Sequence, residues 1–460
     1  MECKTLTPIC TTETETYIDN NEKHIETLVK ALGSPLHFIF PGQVEKLIGM
    51  FRGALRNVGI AGQVYFAAKA NKSDAFLHMA SKSGAGVDVA SREEFLAALS
   101  ANVRGEDIVV TGPHKGKELH FLARTHGATV SIDNLVELSD VCAEASGRKG
   151  KAQKILLRYR PDTQRESRFG MSERELLNAI ELKHNNVIVK GFTVHLSGYS
   201  LRERAEVGQQ LVAFCTVAAK YGHIADTIDL GGGWPVSYVT RDDWAIFQKT
   251  NAPAHYHGGR IFPKTYPYFQ ALNGVDGFIH CLSICHNGTN LIDLCKTHSI
   301  SLMIEPGRAL VDKAGFTAFE IKSVVRRDED NYSIITVAGK SFSLSEQWFN
   351  SEFLPSPQVL PKLSNSVSVN ACVAGDSCLD DDMISWRKIF FEGGPSAGNC
   401  LIYHNTAGYQ MDANESAFHR SAIPKKVAIW KSNEQWNWCL DEEFHRLAHE
   451  YRNRDMEDDC

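Results

Sequence analysis

A chain of 460 residues, 43% of them apolar, is long enough for two domains or for one large barrel with an addition, and for a sizeable core. A formal net charge of −6 with no basic tract gives no electrostatic footprint for nucleic acid or for an anionic membrane surface. No stretch approaches the roughly 18 apolar residues of a membrane span, the polar, acidic start shows no secretory pattern, and twelve cysteines without a CxxC pair suit a reducing cytoplasm. Cys281, Cys285 and Cys295 lie close in sequence, but no histidine or CxxC spacing completes a metal set, so none is expected.

Residues 1 to about 34 read as a polar lead-in with a short helix over 21–32, ended by Gly33. A short apolar strand follows at Leu36 to Phe40. Pro41 then suits the first turn of a helix through Asn57, with Val44, Leu47, Ile48, Phe51 and Leu55 at helical spacing. From there apolar runs alternate with helices. The strands fall at 64–68, 86–89, 108–111, 129–132, 154–159, 187–194, 227–230 and 301–304, and Ser91 to Glu94 is a capping-box pattern opening one of the helices. Strands separated by helices imply a parallel sheet, and eight of them imply closure into a (β/α)8 barrel, with an open doubly wound sheet as the alternative. Beyond Gly307 the rhythm changes to short β runs separated by turns, at 316–325, 332–337, 367–374, 386–391, 401–405 and 426–430, which predicts a second, antiparallel β domain. The expected organisation is residues 1–40 as lead-in plus a strand joining the β domain, 41–310 as barrel, and 311–460 as β domain with a terminal surface helix.

Barrel enzymes carry their chemistry on loops at the carboxyl ends of the strands, so the residues there are the candidates for function. The first strand, VYFAA, delivers Lys69, a cation at the end of a buried apolar run. The second ends near Asp88, the sixth at His195, the seventh at Gly231, Gly232 and Gly233, and the eighth at Glu305, Pro306, Gly307 and Arg308. The bare backbone of the glycine run suits close approach to a phosphate, and Arg308 adds charge there. Glu305 at the end of an apolar strand needs a buried partner, which a protonated pyridine nitrogen or a barrel cation would be. His195 could stack on a flat cofactor or serve as a satisfied core histidine. Together these strand ends fit a phosphate-bearing aldehyde held on Lys69.

The motifs FAAKAN, GVDVASREE, SRFGM, VHLSG, DLGGGWP, EPGR, GDSCLDDD and AGYQMD occur in this order. As a set over about 36–420 they resemble the pyridoxal-phosphate-dependent decarboxylases of diaminopimelate, ornithine and arginine, which pair an alanine-racemase-type barrel with a C-terminal β domain. The resemblance implies that Lys69 carries pyridoxal 5'-phosphate, His195 stacks on its ring, Glu305 faces the pyridine nitrogen, and Gly231, Gly232, Gly233, Gly307 and Arg308 hold the phosphate. Asp88 is similar to an acidic residue near the lysine in these enzymes, and Ser197, in the histidine motif, counts with the cofactor set. Cys378 and Tyr409 match a cysteine and a tyrosine of the β domain that serve the site, the cysteine reaching into the partner subunit's site, which implies a homodimer with shared active sites. Cys378 is then the proton donor to the α-carbon, with Lys69 as the other candidate.

The substrate side departs from the pattern. Leu379 and Asp380 follow Cys378 where the family carries glutamate and serine, so diaminopimelate itself is disfavoured; the run Asp380, Asp381, Asp382, with Asp380 and Asp382 as the candidates, reads either as a partner for a distal ammonium group or as a solvated acidic turn. Neither the arginine of diaminopimelate enzymes nor the specificity aspartate of ornithine enzymes occurs between Gly339 and Phe353. Ser197-Gly198 and Ala407-Gly408 each reverse the usual order. The aromatic insertion around 241–275 reads either as lining for a larger substrate or as a packed excursion. The leading reading is α-decarboxylation of an unusual or conjugated, diamino-acid-derived amino acid. A racemase or epimerase, and a non-catalytic relative that merely binds the cofactor, stay open.

Overall fold

The computed structural model describes residues 5–146, 151–182, 186–346, 349–362, 367–413 and 416–447. These divide into two compact units, with strands numbered here along the chain. One unit, Val44–Pro235 with Leu272–Leu310, is a closed barrel of eight strands. They are β2 (Gly62–Ala67), β3 (Gly86–Val89), β4 (Ile108–Val110), β5 (Thr129–Ile132), β6 (Gln153–Arg158), β7 (Val187–Thr193), β8 (Thr227–Asp229) and β9 (Ser301–Ile304); β1 (Leu36–Ile39) belongs to the other unit. Each is parallel to its neighbours, and β2 against β9 closes the ring. The alternation of short apolar runs with helices was therefore a barrel and not an open sheet. The strands read as apolar runs because crossover helices cover one face and the barrel core fills the other. Inside, Tyr65, Val109, Leu156 and Met303 from four strands form one packed cluster.

Local chemistry starts the barrel helices where the chain must leave a strand. Ser73, Ser91, Ser172 and Ser200 each accept a hydrogen bond from a first-turn amide. Ser172 with Glu175 forms a complete capping box, whereas Glu94 reaches past Ser91 to the amide of Ala90, at 2.6 Å. The pairing of β6 with β7 slips after Ile155, and Gly191 sits at the slip. A Cβ on Gly191 would lie 1.7 Å from the carbonyl oxygen of Thr227, so only glycine lets β7 approach β8 there. That irregularity lies just upstream of His195.

The second unit comprises the chain up to Gln43, the segment Val236–Ala271 and the chain from Val311 onward. Its strands are β1, β10 (Gly315–Arg327), β11 (Tyr332–Val337), β12 (Ser345–Glu346), β13 (Ser351–Glu352), β14 (Gln358–Leu360), β15 (Val369–Ala374), β16 (Met383–Phe391), β17 (Cys400–His404), β18 (Lys425–Ser432) and β19 (Gln435–Leu440). The main sheet runs β16-β15-β11-β10-β1-β18-β19, with β17 on β10 and β14 on β17. It is mixed where an antiparallel domain was expected, because β1 runs parallel to β18 and β11 parallel to β15. Strands that meet from distant parts of the chain have no hairpin to impose the antiparallel sense. Helices Thr12–Asn20 and Glu22–Leu32 cover the sheet, where Phe38 and Phe316 stack at 4.6 Å and Tyr17 meets both at a tilt.

The insertion Val236–Ala271 groups with this β-rich unit. Tyr238, Tyr266 and Tyr268 are buried and meet one another at centroid distances of 5.4–5.5 Å, while Tyr238 packs on Phe353 at 5.6 Å. The Tyr268 hydroxyl accepts from the Leu354 amide at 3.1 Å. Large aromatic surface with hydroxyls that find backbone partners is what anchors the segment here. From Asp441 the chain makes a 3-10 turn and enters a helix at Phe444; the expected terminal helix otherwise lies outside the described residues.

Candidate active site

Lys69 sits in the 3-10 turn Ala68–Ala70 that follows β2. Its Nζ donates to Asp88 Oδ2 at 3.0 Å, and Thr111 Oγ1 donates to Asp88 Oδ1 at 2.6 Å. Asp88 is fully buried in β3. Burial first, then repulsion from Glu305, raises its carboxyl above the ordinary range, and Lys69 and Thr111 counteract both. The lysine side chain is 38% exposed, so the amine is held by a buried carboxylate yet open to an incoming molecule.

His195 follows β7. Burial, then the positive charges of Lys69, Arg158 and Arg204, hold its imidazole well below the usual value, so the ring is neutral at pH 7. The Gly232 amide donates to Nδ1 at 3.4 Å, which leaves Nε2 to carry the ring proton. The 3.8 Å approach of Nδ1 to Glu305 Oε2 is accordingly not an ion pair. A neutral, oriented imidazole suits contact with the face of another ring.

Glu305 is buried at the end of β9, and its Oε1 has no hydrogen-bond partner. Beside it, burial and then the charge of Glu305 push Asp229 well above the carboxylate range, although Thr193 Oγ1 and the Gly231 amide both bond it at 2.8 Å. Glu305 thus has the Asp229 carboxyl as its hydrogen-bonding neighbour and no amide, hydroxyl or cationic donor on Oε1, and a protonated heteroaromatic nitrogen is a donor of the kind that oxygen lacks.

The glycine run is engaged more than its sequence suggests. Gly231 donates to Asp229 and Gly232 to His195, so the loop offers an anion close approach more than three open amides. Gly231 and Gly233 have φ of +63° and +76°, where side chains strain the backbone. Beneath them lies Arg204, fully buried, donating from Nη1 to Leu230 O at 2.8 Å and from Nη2 to Gly233 O at 3.3 Å, with its guanidinium 4.8 Å over the Trp234 ring. Arg204→Met should therefore destabilise the chain by about 2–4 kcal/mol, because it strands two carbonyls. The same variant should weaken cofactor binding about tenfold; denaturant unfolding and a cofactor titration check the two effects. Gly307 and Arg308 follow Glu305, both buried, with Arg308 opening a short 3-10 turn. Ser197 is exposed; its amide and carbonyl both bond the Gln164 carboxamide, at 2.8 and 3.1 Å.

The remaining sequence-identified residues lie in the β-rich unit. Cys378 is exposed, on the loop between β15 and β16. Asp382 is buried, and its two oxygens accept from the Ser341 and Ser377 amides at 2.7 and 3.1 Å, so it closes that loop on itself. Asp380 is exposed. Asp381 pairs with Arg260 of the insertion at 3.2 Å, and the Arg260 guanidinium lies 4.3 Å over Trp386. Arg260, Phe262, Phe342, Glu352, Asp381 and Trp386 border a cavity of about 250 Å³, in which burial pushes the Glu352 carboxyl up to about 7. Tyr409 has φ of +79°, a conformation a bulky residue adopts only when its surroundings impose it.

Sequence reasoning missed Thr111, Asp229, Arg204 and Arg260. Asp229 had a signal in its place before the glycine run, and Arg260 in the aromatic insertion around it; Arg204, one charge among several on a helix, had none.

The family described as pyridoxal-dependent decarboxylase, pyridoxal binding domain, matches residues 42–265. An uncharacterized protein of Sinorhizobium fredii is 35% identical over 403 residues, covering 86% of this chain and 88% of its own length. A diaminopimelate decarboxylase of Bacillus methanolicus is 23% identical over 441 residues, covering 88% of this chain and 92% of its own. Among solved structures, diaminopimelate decarboxylase from Helicobacter pylori complexed with L-lysine shares the fold at a TM-score of 0.70 and 17% identity, over 93% of this chain and 99% of that one.

Proposed function

The chain belongs to the fold-type III family of pyridoxal-phosphate-dependent decarboxylases, and from that premise we propose that it removes the α-carboxyl group of a conjugated, diamino-acid-derived amino acid in a biosynthetic pathway. The family's cofactor, pyridoxal phosphate, supplies an electron sink for the pair left behind when CO2 departs. The residues fit it: the observation that carries the proposal is a buried Glu305 whose Oε1 has no amide, hydroxyl or cationic donor, in the same barrel mouth as an accessible lysine on a buried aspartate and a neutral histidine.

Lys69 would hold the cofactor's aldehyde, and Asp88 holds the amine in place for it. His195 would supply a flat neutral face to the ring, and Glu305 would keep a proton on the ring nitrogen. The bare flank of Gly231–Gly233, Gly307 and Arg308 would hold the phosphate, with Ser197, and Tyr409 of a second copy, as further cofactor-binding residues. Cys378 delivers a proton to the substrate carbon that has lost CO2.

Support for a conjugated substrate comes from the β-rich unit. The family's substrate-reading residues are missing from 339–353 and from the positions after Cys378. The insertion places Arg260, paired with Asp381 and stacked on Trp386, at the edge of a cavity that adjoins the Cys378 loop. Asp380 is the exposed carboxylate for a distal ammonium, with Asp382 setting the loop that presents it.

The functional unit is a cytoplasmic homodimer in which Cys378 and Tyr409 of one copy complete the barrel site of the other. Among the described residues no helix is long and apolar enough to cross a membrane. Mixing inactive Lys69→Ala with inactive Cys378→Ala under subunit exchange should regain up to about a quarter of wild-type activity, the statistical share of sites that are intact in the hybrid mixture. Activity no higher than either parent, with exchange demonstrated, would contradict sharing.

A further inference from the structure

The loop bearing Cys378 meets a second segment whose conformation is otherwise unexplained. Phe418–Arg420 forms a short turn in which His419 and Arg420 both have φ of +57°, two successive non-glycine residues in the left-handed region. Each such residue costs about 1–2 kcal/mol unless its surroundings impose it. The turn brings His419 Nε2 to 3.2 Å from Cys378 Sγ. The ring is held by Phe418, at 4.2 Å, and Phe418 in turn meets Phe342 edge-on at 6.3 Å. Lys340 ties the two segments together, bonding Ser421 Oγ and lying 3.9 Å from Asp376. Cys378 shares its exposed loop with Asp376, Asp380, Asp381 and Asp382, of which Asp381 is paired with Arg260 and Asp382 is bonded by backbone amides, while Lys340 and Arg420 are cations on the adjoining segments.

We propose that His419 is the proton partner of Cys378, a positioning residue that returns to the sulfur the proton it gives away. The proposal rests on Cys378 as donor in the reaction above. In that step the Cys378 S–H bond breaks as the substrate carbon's electron pair takes the proton and forms its new C–H bond, leaving a thiolate. The His419 imidazolium then gives its N–H proton to the thiolate, and the neutral imidazole, on the exposed side, takes one proton from water. One proton is consumed for each CO2 released, which balances the reaction. Without His419 the thiolate would depend on solvent alone for its proton.

The test reads the thiol itself and needs no substrate. In cofactor-loaded protein at pH 7, the rate of iodoacetamide alkylation at Cys378 is followed by peptide mass spectrometry and normalised to exposed Cys285 in the barrel. Wild type should exceed His419→Asn about tenfold in this ratio, since thiolate and not thiol is the nucleophile. His419→Gln, which keeps a polar side chain of different reach, should show the same loss and serves if the first variant does not fold. A ratio unchanged in the folded variants would overturn the pairing. Because alkylation is independent of turnover, it separates this proposal from the decarboxylase assignment: full CO2 release by Cys378→Ala would remove the donor role and leave the thiol measurement standing.

Discussion

Lys69→Ala is expected to lose the absorbance of lysine-bound cofactor, to show no pyridoxal tied to the chain after borohydride, and to fall about a thousandfold or more in CO2 release. The environment of Asp88 decides whether the variant folds. Its carboxylate is fully buried, with Lys69 Nζ at 3.0 Å as its cation and Thr111 as its hydroxyl donor. Removing the cation does not oblige the chain to bury a bare charge, because burial and Glu305 already raise the Asp88 carboxyl and it can take a proton instead. The variant should thus stay folded. A folded Lys69→Ala that still binds pyridoxal covalently would contradict the assignment of Lys69.

Glu305→Gln should lower turnover about a hundredfold to a thousandfold while the chain keeps its fold and still binds the cofactor. A carboxamide fills the same space and can bond a ring nitrogen, yet it cannot hold a proton there, so the electron sink is weakened at its source. The stability consequence has the opposite sign. Asp229 is raised above its unfolded value by burial and then by Glu305. A raised acid contributes stability that is complete below the unfolded carboxylate value and is lost as pH rises through the folded one. Removing the Glu305 charge lessens that loss, so the cofactor-free variant should be as stable as wild type or more so above neutrality. Loss of activity without loss of stability is the signature of a group kept for chemistry. Turnover within tenfold of wild type, with bound cofactor, would place ring protonation elsewhere.

Much of the barrel was legible because a parallel strand covered on both faces must be apolar throughout, and VYFAA, GVDV and SLMI announce themselves. The strand ends were legible for the same reason: a lysine, glutamate or glycine run that breaks such a stretch stands out. What stayed hidden depends on partners distant in sequence. Helix Thr12–Asn20 is almost wholly polar, shows little but Tyr17 and Ile18 as a buried face, and is started by Thr11 as N-cap. Strand β19, QWNWCL, is for the most part half-buried and has no continuous apolar run. Arg204 reads as one charge among several on RERAEV, and only the structure shows it buried under the glycine loop. The insertion's tyrosines were visible as aromatics, while their place in the β-rich unit depends on Phe353 and Leu354, more than eighty residues along the chain. His419 belongs to the same class, since its pairing with Cys378 spans 41 residues.

The most direct measurement is proton NMR of the cofactor-loaded protein in deuterated water with a panel of L- and D-amino acids that includes diamino acids and their carboxylated conjugates. The account predicts an amine product carrying one deuterium on the former α-carbon, formed fastest from a conjugated diamino acid. Exchange of the α-proton with the carboxylate retained, and no amine from any member of the panel, would contradict it and point to racemisation.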